Sequence, residues 1–301
     1  MHKRYNNLPR QNGGRVSRAL WCAIAVIILL VVVCMVEIVV LASVRADSPD
    51  VKKPNDTSSG DTQGGSPDTT PSTPGTSDNS TSDTPVVVTP STARLAETAD
   101  LGQEYIDKLI FVGDSTTYGL KAYGVLSGGK NTTQVWTPAS GTYSLNALVA
   151  TYKIVYPPTG EELTVAEAAA KAKPEYMVIT LGVNYGVPYC GEGEFKKYYR
   201  LLLDAVKAAS PETKIILQSI YPVATNSEYR DITNPRIDVA NGWVESLAEE
   251  YGFRYLDTNS SLKGDDGYLI HSYQNGDGLH MNTSGLNAIL KYIRTHGYPN
   301  N

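Results

Sequence analysis

The sequence predicts an α/β fold over residues 96–301: a parallel sheet with helices on both faces, preceded by one apolar span and a polar linker. Three observations predict it. From about Leu95 onward, short apolar runs alternate with longer amphipathic stretches. The runs have strand length and the stretches have helix length, the pattern of successive βαβ units. The segment is also long enough to bury one core.

The elements follow in order. Residues 1–18 form a basic tail with Lys3, Arg4, Arg10, Arg15 and Arg18 and no acid. Residues 19–44 are apolar, with Glu37 their one charge. A run of about 20 apolar residues spans a bilayer as a helix, and the basic flank keeps its N-terminus cytoplasmic. The rest of the chain is then extracellular. A cleaved signal peptide ending at Val44-Arg45-Ala46 is the alternative, but such apolar regions run about 7–15 residues, and the longer run here predicts an uncleaved signal-anchor. Residues 45–95, rich in Ser, Thr, Pro, Asp and Gly, read as a disordered linker, because such a composition buries too little apolar surface to offset its ordering entropy. Fifty flexible residues span about 40 Å, enough to carry a domain into a wall layer.

Within 96–301 the strand candidates are 109–112, 133–136, 176–181, 214–220 and 253–256. Thr164-Val165-Ala166-Glu167 is a capping box that opens an Ala-rich helix ending before Pro174. From 194 to 209, Phe195, Tyr198, Tyr199, Leu202, Leu203 and Val206 share one helical stripe. Residues 235–251 and 283–296 give two more helices. Chemistry in such sheets sits at the C-terminal ends of the strands.

Charge and cysteine usage exclude some classes. The globular part carries 17 Lys and Arg against 23 Asp and Glu, with no basic block. Nucleic-acid binding needs clustered cations to displace phosphate counterions, so no nucleic-acid partner is expected. Cys22 and Cys34 lie in the apolar run, which leaves Cys190 as a lone loop thiol. No Cys pair has the spacing of a structural zinc site.

The first strand runs into Gly113-Asp114-Ser115-Thr116. Ser115 then stands where a helix opens and backbone N–H groups favour negative charge, a place that suits a nucleophile whose attack creates an oxyanion. Gly-Asp-Ser alone equally suits any βα turn. Asp277-Gly278-Leu279-His280, just before the last helix, adds what a serine needs: a base, and a carboxylate to fix its tautomer. Of the four histidines, His2 is cytoplasmic, His296 ends a helix, and only His280 has an acid three residues before it; His271 does not. Gly141, after the second strand, and Asn184, after the third, are candidate oxyanion donors. Asp114 reads as structural, bonding N–H groups around its loop.

Ser115, Gly141, Asn184, Asp277 and His280 match, in type and order, the blocks of the SGNH hydrolase family, also called GDSL esterases/lipases, which the chain resembles over about 105–296. The third block departs: the family often has G-x-N-D, and Tyr185 stands here in place of the acid. The resemblance implies a flavodoxin-like three-layer α/β/α sandwich with a five-stranded parallel sheet, in agreement with the five strand candidates. It implies acyl transfer through a serine ester, with Ser115, Asp277 and His280 catalytic, Ser115 N–H, Gly141 N–H and Asn184 as the oxyanion hole, and no metal or cofactor. The domain is rich in Tyr, whose faces and hydroxyls suit sugars as well as rim packing; Tyr143 and Tyr185 are the candidate substrate-binding residues.

The expected protein is a membrane-anchored extracellular serine esterase that removes small acyl groups, acetyl above all, from carbohydrate or cell-wall polymers. Two alternatives share the fold: an O-acyltransferase acting on surface glycans with the same triad, and a non-catalytic glycan-binding module.

Overall fold

The computed structural model describes residues 91–299. The basic tail, the apolar span and the linker up to residue 90 lie outside the described residues. Among the described residues no helix is long and apolar enough to cross a membrane.

The strands are β1 Leu109–Gly113, β2 Val135–Trp136, β3 Lys153–Tyr156, β4 Glu161–Thr164, β5 Tyr176–Thr180, β6 Lys214–Gln218 and β7 Arg254–Leu256. The helices are α1 Gly102–Ile106, α2 Ser115–Ala122, α3 Val165–Ala172, α4 Gly186–Tyr189, α5 Glu192–Ala209, α6 Asn234–Tyr251, α7 Thr258–Leu262 and α8 Thr283–Arg294. Five strands make one sheet in the order β2-β1-β5-β6-β7, all parallel. Counting sheet strands alone, that is the 2-1-3-4-5 order of flavodoxin-like folds, with the direction of winding reversing at β1. The C-terminal ends of β1 and β5 therefore open a crevice, and the loops after them carry Ser115 and Asn184.

Period-two burial makes the sheet the middle layer. Val112, Met177, Ile179, Ile215 and Leu217 point into one core with Ala168 and Ala169 of α3, Phe195, Tyr199, Leu202 and Leu203 of α5, and Ile237 and Val244 of α6. Phe111, Val178 and Ile216 point into the other with Ile106, Leu120, Leu262, Leu286 and Ile289. Continuous apolar strands are what burial on both faces requires. The α3 capping box forms as expected: Glu167 N–H donates to Thr164 Oγ1 at 3.1 Å, and Thr164 N–H to Glu167 Oε2 at 2.7 Å.

Two features depart from the sequence reading. β3 and β4 form an antiparallel hairpin, Lys153 opposite Thr164, turning at Gly160 (φ +74). The folded part also begins before residue 96. Leu95 N–H donates to Tyr255 O and Tyr255 N–H to Ala93 O, both at 2.8 Å, so residues assigned to the linker extend the sheet edge beside β7. Arg94 anchors this edge on Glu245 and Asp257, 2.6 Å from each.

Candidate active site

Gly113 ends β1 so close to β5 that an added Cβ would lie 2.5 Å from the Thr180 carbonyl. Asp114, next in the chain, is 1% exposed and caps α2. Its Oδ1 accepts from Thr116 N–H at 3.0 Å and Thr116 Oγ1 at 2.7 Å. Burial pushes its carboxyl up to about 6, against the opposing pull of those bonds, the His280 charge and the Val183 N–H. The cap thus links the turn holding Ser115 to the loop after β5, the structural role expected of it. Ser115 takes the first position of α2.

The second part of the site is the turn before α8. Asn282 caps that helix, accepting from Ser284 N–H at 2.8 Å and Gly285 N–H at 3.1 Å, and it ties the incoming chain by donating to Ser272 O and Gln274 O. Buried Gln274 accepts from Gly276 N–H at 2.6 Å and Gly278 N–H at 3.1 Å. Gly278 has φ +78, and a Cβ there would lie 2.6 Å from Ser227 Cα, so a side chain would clash with the loop after β6.

These supports bring Asp277, His280 and Ser115 into one line. Asp277 Oδ1 accepts from Leu279 and His280 N–H, each at 2.9 Å. Its Oδ2 lies 2.6 Å from His280 Nδ1, and His280 Nε2 lies 2.8 Å from Ser115 Oγ. Burial raises the Asp277 pKa, but the bonds from His280 and Leu279 outweigh it and hold the carboxyl below its ordinary value. An ionised Asp277 accepts the Nδ1 proton and leaves Nε2 free to accept from the serine hydroxyl. The other two described histidines stay apart from this line. His271 is exposed, and His296 stacks on Tyr292.

Of the expected oxyanion donors, Asn184 has a buried Nδ2 with no partner, a group whose burial costs free energy until something accepts from it. Its loop is fixed by Leu145 N–H donating to Asn184 O at 3.0 Å. Gly141 is buried against the Tyr118 ring, one turn along α2 from Ser115, with φ +72. Its N–H, expected in the oxyanion hole, is instead engaged with Pro138 O at 2.8 Å, closing the turn that carries it.

Tyr143 is not a substrate-binding residue. It is 1% exposed, donates its hydroxyl to Val149 O at 2.6 Å and packs edge-on against Tyr152. Burial raises the pKa of its phenol strongly. The loop folds inward there because that carbonyl satisfies the hydroxyl. Tyr185 is exposed, with φ +71, unusual for a residue bearing a Cβ. Cys190 is buried, and burial raises its thiol pKa. Sequence reasoning missed Tyr229, whose ring stands edge-on to His280 at 6.1 Å between centroids. No motif marks it; it arrives through the loop after β6. Gln274 was missed as well, though its place in the turn before Asp277 was a signal.

The fold and the site define a hydrolase class: a serine–histidine–aspartate line at the switch point of a parallel sheet. The profile of the GDSL-like lipase/acylhydrolase family matches residues 111–288. The chain belongs to that family and is a serine ester hydrolase. Among solved structures it is similar to a GDSL-like lipase from Bacteroides thetaiotaomicron, at 19% identity over 61% of this chain and 84% of that one, TM-score 0.42. It is also similar to a catalytic mutant of an acetylxylan esterase from Geobacillus stearothermophilus, at 20% identity over 64% and 94%, TM-score 0.36. No curated protein matches the chain.

Proposed function

We propose that the chain is a membrane-anchored extracellular esterase that hydrolyses small acyl esters, acetyl above all, on carbohydrate or cell-wall polymers through an acyl-enzyme. The observation that carries the chemistry is the Ser115–His280–Asp277 line at 2.8 and 2.6 Å. Ser115 Oγ attacks the ester carbonyl as its proton passes to His280 Nε2, and Asp277 holds the imidazolium that results. The oxyanion takes up the Ser115 N–H and the unpartnered Asn184 amide. Collapse breaks the bond to the alcohol, which leaves with the His280 proton. Water, giving a proton to the same nitrogen, then attacks the acyl-serine; collapse breaks the acyl–Oγ bond, His280 returns that proton to Ser115 Oγ, and the acid is released.

The location rests on the sequence alone. A basic flank, an apolar span at 19–44 and a linker at 45–90 would hold the enzyme outside the cell within reach of surface polymers, and anchoring raises the effective concentration of enzyme at that surface. The chemistry is tested by Ser115→Ala, which should abolish hydrolysis of p-nitrophenyl acetate and labelling by an active-site serine reagent. Label retained on another serine refutes the assignment. The location is tested by protease on intact or wall-stripped cells, which should release active enzyme with a new N-terminus between 46 and 91. Active enzyme found in the medium without added protease, with Asp47 as its first residue, refutes the anchor.

A further inference from the structure

Beside the triad runs a groove of about 390 Å³, bounded by Pro188 and Tyr189 on one side and by the loop from Glu228 to Ile232 on the other. Arg236 of α6 holds the two walls at a fixed spacing, donating to Pro188 O at 2.8 Å and to Asp231 O at 3.2 Å. The groove reaches the chemistry through Tyr229, which lines it and also meets the His280 ring. Glu228 N–H donates to Asp277 O at 3.3 Å, so the same loop touches both triad partners. On the opposite wall Tyr189 lies 5.5 Å from Tyr185, the residue after Asn184, extending an exposed aromatic row from the oxyanion loop into the groove.

The lining is aromatic and charged together. Tyr189 and Tyr229 are 67% and 39% exposed. Glu228, Arg230 and Asp231 are exposed and form no ion pair among the described residues. We propose that this groove is a glycan subsite, holding the sugar ring next to the acylated one while the ester sits at Ser115. An acyl chain laid here would gain the tyrosine and proline faces but strip water from three unpaired charges without giving them a polar partner. A sugar ring sets its C–H face on a tyrosine and its hydroxyls on the carboxylates and guanidinium. The Glu228 and Asp231 carboxylates are balanced by the Arg230 and Arg236 guanidiniums, so the groove carries no net charge to draw in a uronate or phosphate and suits an uncharged ring. The subsite deepens the carbohydrate-ester reading and rests on it.

The test compares purified full-length enzyme on O-acetylated xylo-oligosaccharides and on p-nitrophenyl acetate. Tyr189→Ala should lower the ratio of kcat/KM on the oligosaccharide to that on the small ester about tenfold, through KM, and Tyr189→Trp should restore it. An unchanged ratio overturns the subsite. A loss appearing on p-nitrophenyl octanoate instead of the sugar ester also overturns it, because the groove would then hold an acyl chain. Binding is read separately by titrating unacetylated xylohexaose into the Ser115→Ala protein. Addition of Tyr189→Ala should weaken Kd about tenfold; absence of binding by Ser115→Ala alone overturns the subsite. If the wild type cleaves neither ester yet binds xylohexaose in a Tyr189-dependent way, the esterase reading fails and the glycan groove stands.

Discussion

Asp114→Asn tests whether the carboxylate joining the nucleophile turn to the oxyanion loop is ionised at a cost. The group is 1% exposed, and its pKa is raised from 3.8 to about 6 by burial. At about 1.4 kcal/mol for each tenfold change in proton affinity, ionising it costs about 3 kcal/mol more in the folded chain than in the unfolded one. The folded pKa is raised, so this stability is fully present below 3.8 and is lost as pH rises through about 6. Asparagine carries no such penalty, but it keeps one acceptor oxygen for Thr116 N–H, Thr116 Oγ1 and Val183 N–H, which costs about 1 kcal/mol. The variant should therefore be about 1 kcal/mol less stable than wild type near pH 3.5 and about 2 kcal/mol more stable near pH 7.5. Urea unfolding followed by tryptophan fluorescence across that range measures the difference. A difference that stays flat with pH refutes an ionised, desolvated Asp114.

His280→Ala should lower kcat by at least about three orders of magnitude, while His271→Ala, an exposed change, should leave it within a factor of two or so; reversed effects in a p-nitrophenyl acetate assay would give the base to His271. Asn184→Ala should lower kcat about 10²–10³-fold with little change in KM, and a loss confined to KM would make Asn184 a binding residue. Tyr143→Phe should destabilise the fold by about 1–2 kcal/mol through the unpaired Val149 carbonyl without altering the KM for acetylated oligosaccharides. A raised KM would return Tyr143 to the substrate.

The sheet was legible because strands buried on both faces cannot avoid being apolar: Tyr176 to Thr180 and Ile215 to Leu217 announce themselves by composition. Asp277 and His280 were legible because their spacing closes a turn that serves both residues, so local sequence carries the geometry. The β3–β4 hairpin was not. Lys153, Glu161 and Glu162 interrupt its apolar pattern, since only one side of the hairpin packs on the core. Tyr143 misled for a related reason. A tyrosine faces solvent or core according to whether its hydroxyl finds a partner, and the Val149 carbonyl that supplies one is a backbone group with no sequence signature. Tyr229 could not be read at all, because its place beside His280 depends on the path of the loop after β6.

Gly141 gives the last prediction. In this conformation its N–H closes a turn on Pro138 O, leaving Ser115 N–H and Asn184 as the available donors. Releasing a turn hydrogen bond costs about 1 kcal/mol net. A donor aimed at a developing oxyanion returns about 3–4 kcal/mol. The balance favours rotation of the Ser140–Gly141 peptide once negative charge appears, and glycine suits such a swing because no Cβ restricts its backbone. The flanking residues agree: Ala139 and Ser140 are exposed, while Gly141 lies against the Tyr118 ring, where an added Cβ would come within 3.3 Å of it. A phosphonate attached to Ser115 mimics the tetrahedral state. Its adduct should show Gly141 N–H turned from Pro138 O to the phosphoryl oxygen, seen directly in a crystal structure and as a shifted Gly141 amide resonance in solution. An adduct that keeps the Gly141–Pro138 bond would falsify the rotation and leave this enzyme with a two-donor hole, in which Asn184→Ala should then fall at the severe end of its expected range.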